Sequence, residues 1–217
     1  RDLAEEFGTR RIRNTPLSEG IIAGTAAGAA AGGLRPVADL LFAPFLCYAM
    51  DELVNGAGKL RYISGGQFRF PLVTLAMTGA GWGVGAQHNH NVEAWFVHSP
   101  GLKVVMPSTP ADAKGLLKAA IRDDNPVFFL WHTTMMNNKG HVPADDYLVP
   151  LGVADTKRQG KDVTVLASGL QVQNALKVAE SLAQEISVEV VDARSFEPFD
   201  IECLLQSVAK TTRLVVV

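Results

Sequence analysis

Cysteine, net charge and strongly apolar runs are all scarce in this sequence of 217 residues. Its two cysteines, Cys47 and Cys203, form no CxxC pair and no cluster with histidine, so a disulfide scaffold and a structural zinc site are both unsupported and a reducing compartment is expected. The formal charge of −2 removes the electrostatic basis for binding nucleic acid or an anionic membrane. The apolar stretch at 20–34 is mostly glycine and alanine, too short and too weakly hydrophobic for a membrane span.

Several catalytic motifs are missing as well. No GxSxG elbow is present, so nothing indicates a Ser-His-Asp hydrolase. The glycine-rich stretch 79–85 is not GxGxxG and lacks the Lys-Ser/Thr of a P-loop, which favours a close-packed or flexible loop over a phosphate cradle. It leads to His88 and His90, which would need further ligands to hold a metal; alternatively, one of them acts as a proton carrier in a cleft.

What the sequence does contain is an alternation of short β-rich runs and helical patterns. Hydrophobic residues make up 47%, enough for a real core, and the alternation predicts an α/β fold with a mostly parallel sheet and helices on both faces. The predicted strands of the first unit are 35–41, 71–77, 103–106 and 127–131, and its main helices are 44–62 and 109–122. Residues 140–160 are the predicted linker to a second α/β unit. The chain starts without Met and stops inside a predicted buried strand, so we expect it to be a fragment.

Glu19 opens a predicted helix and is followed by glycines at intervals of four. By position alone it is a first-turn acid favoured by the helix dipole, worth about 0.3–1 kcal/mol. Each glycine within a helix costs about 1 kcal/mol relative to alanine. The stripe of Gly20, Gly24, Gly28 and Gly32 therefore indicates close approach by another element, either in a tight core or across a subunit boundary.

Two phenylalanines follow the first predicted strand, at the edge where ligands bind in open α/β sheets. Phe42 and Phe45 are therefore candidates for a ring-stacking platform, with simple core packing as the commoner alternative. Cys47 lies in the same apolar run, which favours a buried thiol over a nucleophile.

Four blocks of sequence closely resemble the beta subunits of thiamine-diphosphate-dependent 2-oxo acid dehydrogenases, the group acting on pyruvate, branched-chain 2-oxo acids and acetoin. The blocks are TPLSEGIIAGTAAGAAAGGLRPVADL, DELVNGAGKLRYISGGQ, AQHNHNVEAW and HSPGLKVVMPSTPADAKGLLKAAIRDDNPV. The resemblance implies a transketolase-like pyrimidine-binding domain at 1–145, without its first unit. It also implies a truncated transketolase C-terminal domain at 146–217.

The resemblance also assigns roles to single residues. Glu19 matches the glutamate that hydrogen-bonds the aminopyrimidine ring nitrogen of thiamine diphosphate; a carboxyl group there favours the imino tautomer, whose exocyclic nitrogen can remove the thiazolium proton. Phe45 matches the aromatic residue on the pyrimidine, and Leu17 and Tyr48 lie at further cofactor-contact positions. His88 matches the histidine that assists proton transfer and reductive acylation of the lipoyl group.

Partners and metals follow from the same resemblance. The alpha subunit would hold the diphosphate and its magnesium, in a heterotetramer with two copies of each chain that docks on a lipoyl acyltransferase core. Some members also bind potassium through carbonyl groups, and the matching positions are Leu72, Ala120, Ile121, Asp123 and Asn125. Alternatively, the last two merely end the helix before Pro126. A cytoplasmic location is expected in bacteria and the mitochondrial matrix in eukaryotes, with no targeting segment in this sequence.

Departures from the family pattern leave the substrate open. Tyr48 stands where pyruvate-type members often carry glutamine, and the stretch 131–136 replaces a usually acidic one. Pyruvate is the favoured substrate, with branched-chain 2-oxo acids and acetoin as alternatives. Two other hypotheses are a transketolase or 1-deoxyxylulose-phosphate synthase relative, and a catalytically inert assembly subunit. This chain alone is expected to be inactive.

Overall fold

A computed structural model describes residues 2–217, which form two sheets flanked by helices. In chain order, the α-helices are α1 (Leu3–Phe7), α2 (Glu19–Ala31), α3 (Leu60–Ile63), α4 (Glu93–Val97), α5 (Pro110–Arg122), α6 (Leu170–Ser181) and α7 (Ile201–Thr211). The strands are β1 (Val37–Phe42), β2 (Val73–Thr78), β3 (Lys103–Val105), β4 (Val127–His132), β5 (Asp155–Arg158), β6 (Val163–Ala167), β7 (Val188–Asp192), β8 (Ser195–Glu197) and β9 (Leu214–Val216).

The first sheet has the order β1-β2-β4-β3-β8, and its first four strands are parallel. Alternation along β4 places its residues in two separate cores. Phe128 and Leu130 pack with the residues of α2 and its neighbours, whereas Val127 and Phe129 pack against Leu116 of α5. The predicted α/β architecture with helices on both faces is confirmed.

Several predicted boundaries were wrong. The single helix expected at 44–62 is a 3-10 segment, Ala43–Ala49, then a π-helical segment, Asp51–Ala57, and the short α3. The predicted linker contains β5, and β8 returns from the second unit to pair antiparallel with β3. Cys47 is exposed rather than buried because it falls on the outer side of the 3-10 segment, and the side chains of β9 are exposed in this chain.

A buried network of charges joins the two units. Asp112, in the first turn of α5, accepts hydrogen bonds from Lys157 of β5 at 2.7 Å and from Arg194 at 3.1 Å. Asp192, at the end of β7, is fully buried, accepts a hydrogen bond from Ser108, and lies 3.7 Å from the Lys157 ammonium. One lysine therefore lies between carboxylates of both units.

Asp192 makes the stability of this network depend on pH. Burial raises its pKa from 3.8 to about 6, although the Ser108 hydrogen bond and the nearby Lys157 oppose the rise. A folded-state pKa above the unfolded value means that this carboxyl favours folding less as the pH rises from about 4 to about 6. We expect the free energy of unfolding of wild type, relative to Asp192→Asn, to fall by about 1 kcal/mol between pH 5 and pH 7. Urea unfolding of both proteins at pH 5 and pH 7 measures this difference in unfolding free energy. The same difference between wild type and Asp192→Asn at both pH values would contradict the prediction.

Candidate active site

The carboxyl ends of β1, β2 and β4 lie at one edge of the first sheet, because the three strands are parallel neighbours. The segments that follow them carry the predicted site residues. Phe45 and Tyr48 lie in the 3-10 segment after β1, and His88 lies in a short 3-10 helix after β2. Such an edge is where open α/β sheets bind ligands.

Glu19 lies at the first position of α2, at the mouth of an open cleft of about 600 Å³. The lining residues are Ser18, Glu19, Gly20, Ile21, Gly24, Thr25, Tyr48 and Glu52. The Glu19 side chain is half-buried, and no residue from 2 to 217 donates a hydrogen bond to it. It is therefore an acceptor left open toward the cleft, at the positive end of the helix dipole.

Two glycines of the predicted stripe let the segment after β1 approach α2. A Cβ at Gly20 would lie 3.0 Å from the carbonyl oxygen of Tyr48, and one at Gly24 would lie 3.3 Å from Cγ of Glu52. Gly28 faces open space. The first half of the stripe thus packs within this chain and brings Tyr48 and Glu52 into the Glu19 cleft. Sequence analysis missed Glu52, since an acid in a predicted helix gives no distinguishing signal.

His88 lies in a cluster of aromatic rings. Its imidazole is 4.6 Å from the Phe42 ring and 5.1 Å from the Phe45 ring, centroid to centroid, both edge to face. Trp82, from the glycine-rich loop, lies 6.2 Å from Phe42. Residues three apart in a 3-10 helix lie on one side, so Phe45 and Tyr48 connect this cluster to the Glu19 cleft.

The loop that carries His88 is closed at its base. The backbone N–H of Gly79 donates to the carbonyl of His90 at 3.0 Å. The buried hydroxyl of Thr78 lies 3.1 Å from that same carbonyl and 2.8 Å from the carboxylate of Glu93. These hydrogen bonds hold the two ends of the loop together at the end of β2. His88 therefore lies on a loop whose base is fixed to the sheet.

Two family models and several known proteins match this chain. The transketolase pyrimidine-binding domain model matches residues 1–138, and the transketolase C-terminal domain model matches residues 152–217. The 2-oxoisovalerate dehydrogenase subunit beta of Bacillus subtilis is 46% identical, over 99% of this chain and 66% of its own. The pyruvate dehydrogenase E1 component subunit beta of Rhizobium meliloti is also 46% identical, over 99% of this chain and 47% of its own.

This chain belongs to the transketolase-type family of 2-oxo acid dehydrogenase beta subunits. The family also includes the beta subunit of the acetoin:2,6-dichlorophenolindophenol oxidoreductase of Bacillus subtilis, which is 45% identical over 99% of this chain and 63% of its own. A solved split-gene transketolase, an inactive beta4 tetramer, superposes with a TM-score of 0.83 at 27% identity, covering 100% of this chain and 67% of that one. The chain thus spans about half to two thirds of the length of these beta subunits.

Two groups of residues assigned by family resemblance lie outside the cleft. Leu17 is 89% exposed in the loop before α2, so its cofactor contact stays a prediction. The carbonyl positions matched to potassium lie at the end of α5 and the start of β2. The Arg35 guanidinium donates to the carbonyls of Ile121 at 3.1 Å and Asp123 at 2.8 Å.

Arg35 affects whether these carbonyls can bind potassium. A carbonyl has a second lone pair, so the oxygens of Ile121 and Asp123 can also face an ion, but the charge of Arg35 opposes a cation beside it. Potassium binding stays a prediction. Among residues 2–217 no group of three or more His, Cys, Asp or Glu is arranged to hold a metal. No helix in the same range is long and apolar enough to cross a membrane.

His132, at the end of β4, supports the base of the His88 loop. The N–H of Thr134 donates to its Nδ1 at 3.3 Å, which places the ring proton on Nε2, and burial lowers the pKa of this histidine. Its ring packs directly over Gly79, whose φ is +86°. A side chain at Gly79 would overlap this ring.

Replacing Gly79 with alanine is therefore expected to lower the free energy of unfolding by about 2–3 kcal/mol. Gly83→Ala is the matched control: the same loop, a φ of +73°, but nothing within 4 Å of the added Cβ. It carries only backbone strain, about 1 kcal/mol. Urea unfolding of the full-length protein measures both, and equal losses would show that the His132 contact contributes nothing.

Proposed function

We propose that the full-length protein is the beta subunit of a thiamine-diphosphate-dependent 2-oxo acid dehydrogenase, and that this chain binds the aminopyrimidine half of the cofactor. The observation that carries the proposal is the open Glu19 carboxylate in a cleft shared with Tyr48, adjacent to the ring cluster of Phe45 and His88. Family membership gives this geometry its chemical interpretation.

The residues present fit that cofactor half. A flat heterocycle with polar nitrogens needs an acceptor on its edge and apolar contact on its face. Glu19 provides the acceptor and would hold a proton at the ring nitrogen, while Phe45 and Tyr48 provide aromatic surface on one side of the 3-10 segment. When bound, thiamine diphosphate supplies the electron sink for decarboxylation of a 2-oxo acid.

His88 would transfer protons beside the reacting carbonyl. It lies at the carboxyl edge of the sheet, half-buried, on a loop with a fixed base. Its imidazole makes no hydrogen bond to any residue from 2 to 217, so both ring nitrogens remain available to substrate. This arrangement suits a general acid–base group.

The rest of the site requires a partner. The sequence has no phosphate-binding loop, and we propose that an alpha subunit contributes the diphosphate and magnesium site in a heterotetramer. The exposed residues beside the Glu19 cleft, Leu17, Ile21 and Tyr48, are suited to burial against that partner. Acyl transfer would then proceed to the lipoyl group of an acyltransferase core. Potassium at the carbonyl positions remains part of this proposal.

Pyruvate is the proposed substrate, with branched-chain 2-oxo acids and acetoin as the alternatives named by the relatives. The test is to assemble the full-length protein with its alpha chain and measure reduction of an artificial acceptor with each compound, with and without thiamine diphosphate. We expect cofactor-dependent oxidation that is fastest with pyruvate and absent when either chain is omitted. Ketol transfer between sugar phosphates would support the transketolase hypothesis. Assembly without turnover on any of these compounds would support an inert subunit.

A further inference from the structure

The imidazole of His88 is oriented by aromatic rings rather than by hydrogen bonds. The Phe42 and Phe45 rings meet it at interplanar angles of 87° and 80°. No hydrogen bond or ion pair fixes this side chain within residues 2–217. A single ring contact would leave the imidazole free to turn, whereas two contacts from different positions define its plane.

Phe42 reaches His88 because β1 contains a bulge. Asp39 pairs with Leu75 and Phe42 pairs with Met77, so three steps along β1 match two along β2. Without the extra residue, alternation would place Phe42 on the same face as Ala38 and Leu40, which are buried in the core. The bulge turns it away from that core and toward the His88 loop.

The bulge requires a strained residue. Leu41 has a φ of +60°, a conformation that branched, bulky side chains rarely adopt. Asp39 supports it, since its carboxylate accepts a hydrogen bond from the Leu41 N–H at 3.0 Å. Bulges and strained residues cluster beside functional sites, where they redirect a side chain. Ordinary core packing of Phe42 would need neither feature.

We propose that Phe42 is a positioning residue, which the β1 bulge directs against His88 to hold the imidazole in its productive orientation. The proposal rests on the proposed function, in which His88 transfers protons. Phe45 alone is insufficient for this task, because it is also expected to face the pyrimidine ring. The family resemblance assigns Phe42 no contact with the cofactor, and the Phe42 ring is backed by Trp82.

The test is a double-mutant cycle in the full-length enzyme assembled with its alpha chain, with variants Phe42→Leu, His88→Gln and both together. We expect Phe42→Leu to lower kcat about tenfold with KM values for cofactor and substrate within about twofold, and Phe42→Tyr to restore kcat to within about twofold. In the His88→Gln background, Phe42→Leu should cause less than about a twofold further loss. A tenfold loss in both backgrounds would overturn the proposal.

A second readout does not depend on turnover. Diethylpyrocarbonate modification of each histidine, followed by peptide mass spectrometry at fixed pH, reports how freely an imidazole moves and reacts. We expect the rate at His88, relative to the exposed His98, to rise at least about threefold in Phe42→Leu. Phe196→Leu is the control: this phenylalanine is partly buried against the core of the first sheet, is not among the ring contacts of His88, and its replacement should leave the His88 rate unchanged. An unchanged rate at His88 in Phe42→Leu would overturn the positioning role.

A wild-type rate of turnover in His88→Gln would instead refute the proposed role of His88 itself.

Discussion

Replacing Glu19 with glutamine is expected to lower cofactor-dependent turnover of the assembled enzyme at least about a hundredfold, equivalent to about 2.7 kcal/mol in the barrier. Glutamine keeps the size and one hydrogen bond of the side chain but cannot hold or release a proton. The Glu19 carboxylate lies open toward the cleft at the start of α2, whereas Glu52, the other acid of the cleft, extends from a different segment. Apparent affinity for thiamine diphosphate should fall much less, because the proposed partner holds the diphosphate.

Glu52→Gln is the matched comparison for that variant. It removes the same charge from the same cleft but acts from the π-helical segment 51–57 rather than from the start of α2. We expect less than about a tenfold loss, below the contribution of a proton-transferring group. Equal losses in Glu19→Gln and Glu52→Gln would show that only the overall charge of the cleft matters. Steady-state kinetics with pyruvate and artificial acceptor measures both.

Replacing Lys157 with methionine is expected to destabilise the protein by about 3–5 kcal/mol. The Lys157 side chain is only 15% exposed and pairs with Asp112 at 2.7 Å and with Asp155 at 2.7 Å. Burial alone would lower its pKa, but the hydrogen bonds to these two carboxylates raise the pKa above its ordinary value. Methionine keeps the apolar part of the side chain but removes the ammonium group that lies beside Asp112 and Asp192. The buried carboxylates then lose a positive charge that offsets their own.

Lys161→Met controls for loss of a lysine near the same sheet. Lys161 is exposed, and only its backbone N–H is hydrogen-bonded to the residues from 2 to 217. Its replacement should change the urea midpoint little, since exposed charges contribute below about 1 kcal/mol. Adding Asp112→Asn to Lys157→Met should recover part of the loss by removing an uncompensated charge. A Lys157→Met variant as stable as Lys161→Met would contradict the role of the network.

Local patterns predicted those parts of the fold that depend on neighbours in sequence. The Thr109 cap and Pro110 start α5 as expected, since the Thr109 hydroxyl accepts the N–H of Asp112 at 3.0 Å. The apolar run of β4 gave a buried central strand. Both signals lie within four or five residues, so no tertiary contact is needed to interpret them.

Features set by distant contacts were missed. The pairing of β8 with β3 joins residues about ninety positions apart, and three residues of strand carry too weak a pattern to reveal it. The network of Asp112, Lys157 and Arg194 has the same origin, because only the packed fold brings these charges together. The helix expected after Pro44 forms instead as 3-10 and π-helical segments that end at Gly58, where glycine weakens a helix and an added Cβ would lie 2.8 Å from the Val54 carbonyl oxygen.

In the candidate site, too, sequence patterns predicted single residues but not the contacts that the fold creates between them. Glu19 and His88 were predicted from the resemblance of their surroundings, and the structure places Glu19 in the cleft that Tyr48 lines and His88 against the Phe45 ring. The contact of Phe42 with His88 was not predicted, because it depends on a bulge that alternation does not reveal. A leucine in a left-handed conformation has no sequence signal of its own.

The central claim, that Glu19 governs proton transfer at the pyrimidine ring, is tested most directly by hydrogen exchange at C2 of bound thiamine diphosphate. The full-length enzyme, assembled with its alpha chain and saturated with cofactor, is mixed with deuterium oxide, quenched in acid and analysed by proton NMR. We expect Glu19→Gln to slow the exchange at least about a hundredfold while the cofactor stays bound. Exchange at the wild-type rate in Glu19→Gln would contradict the claim.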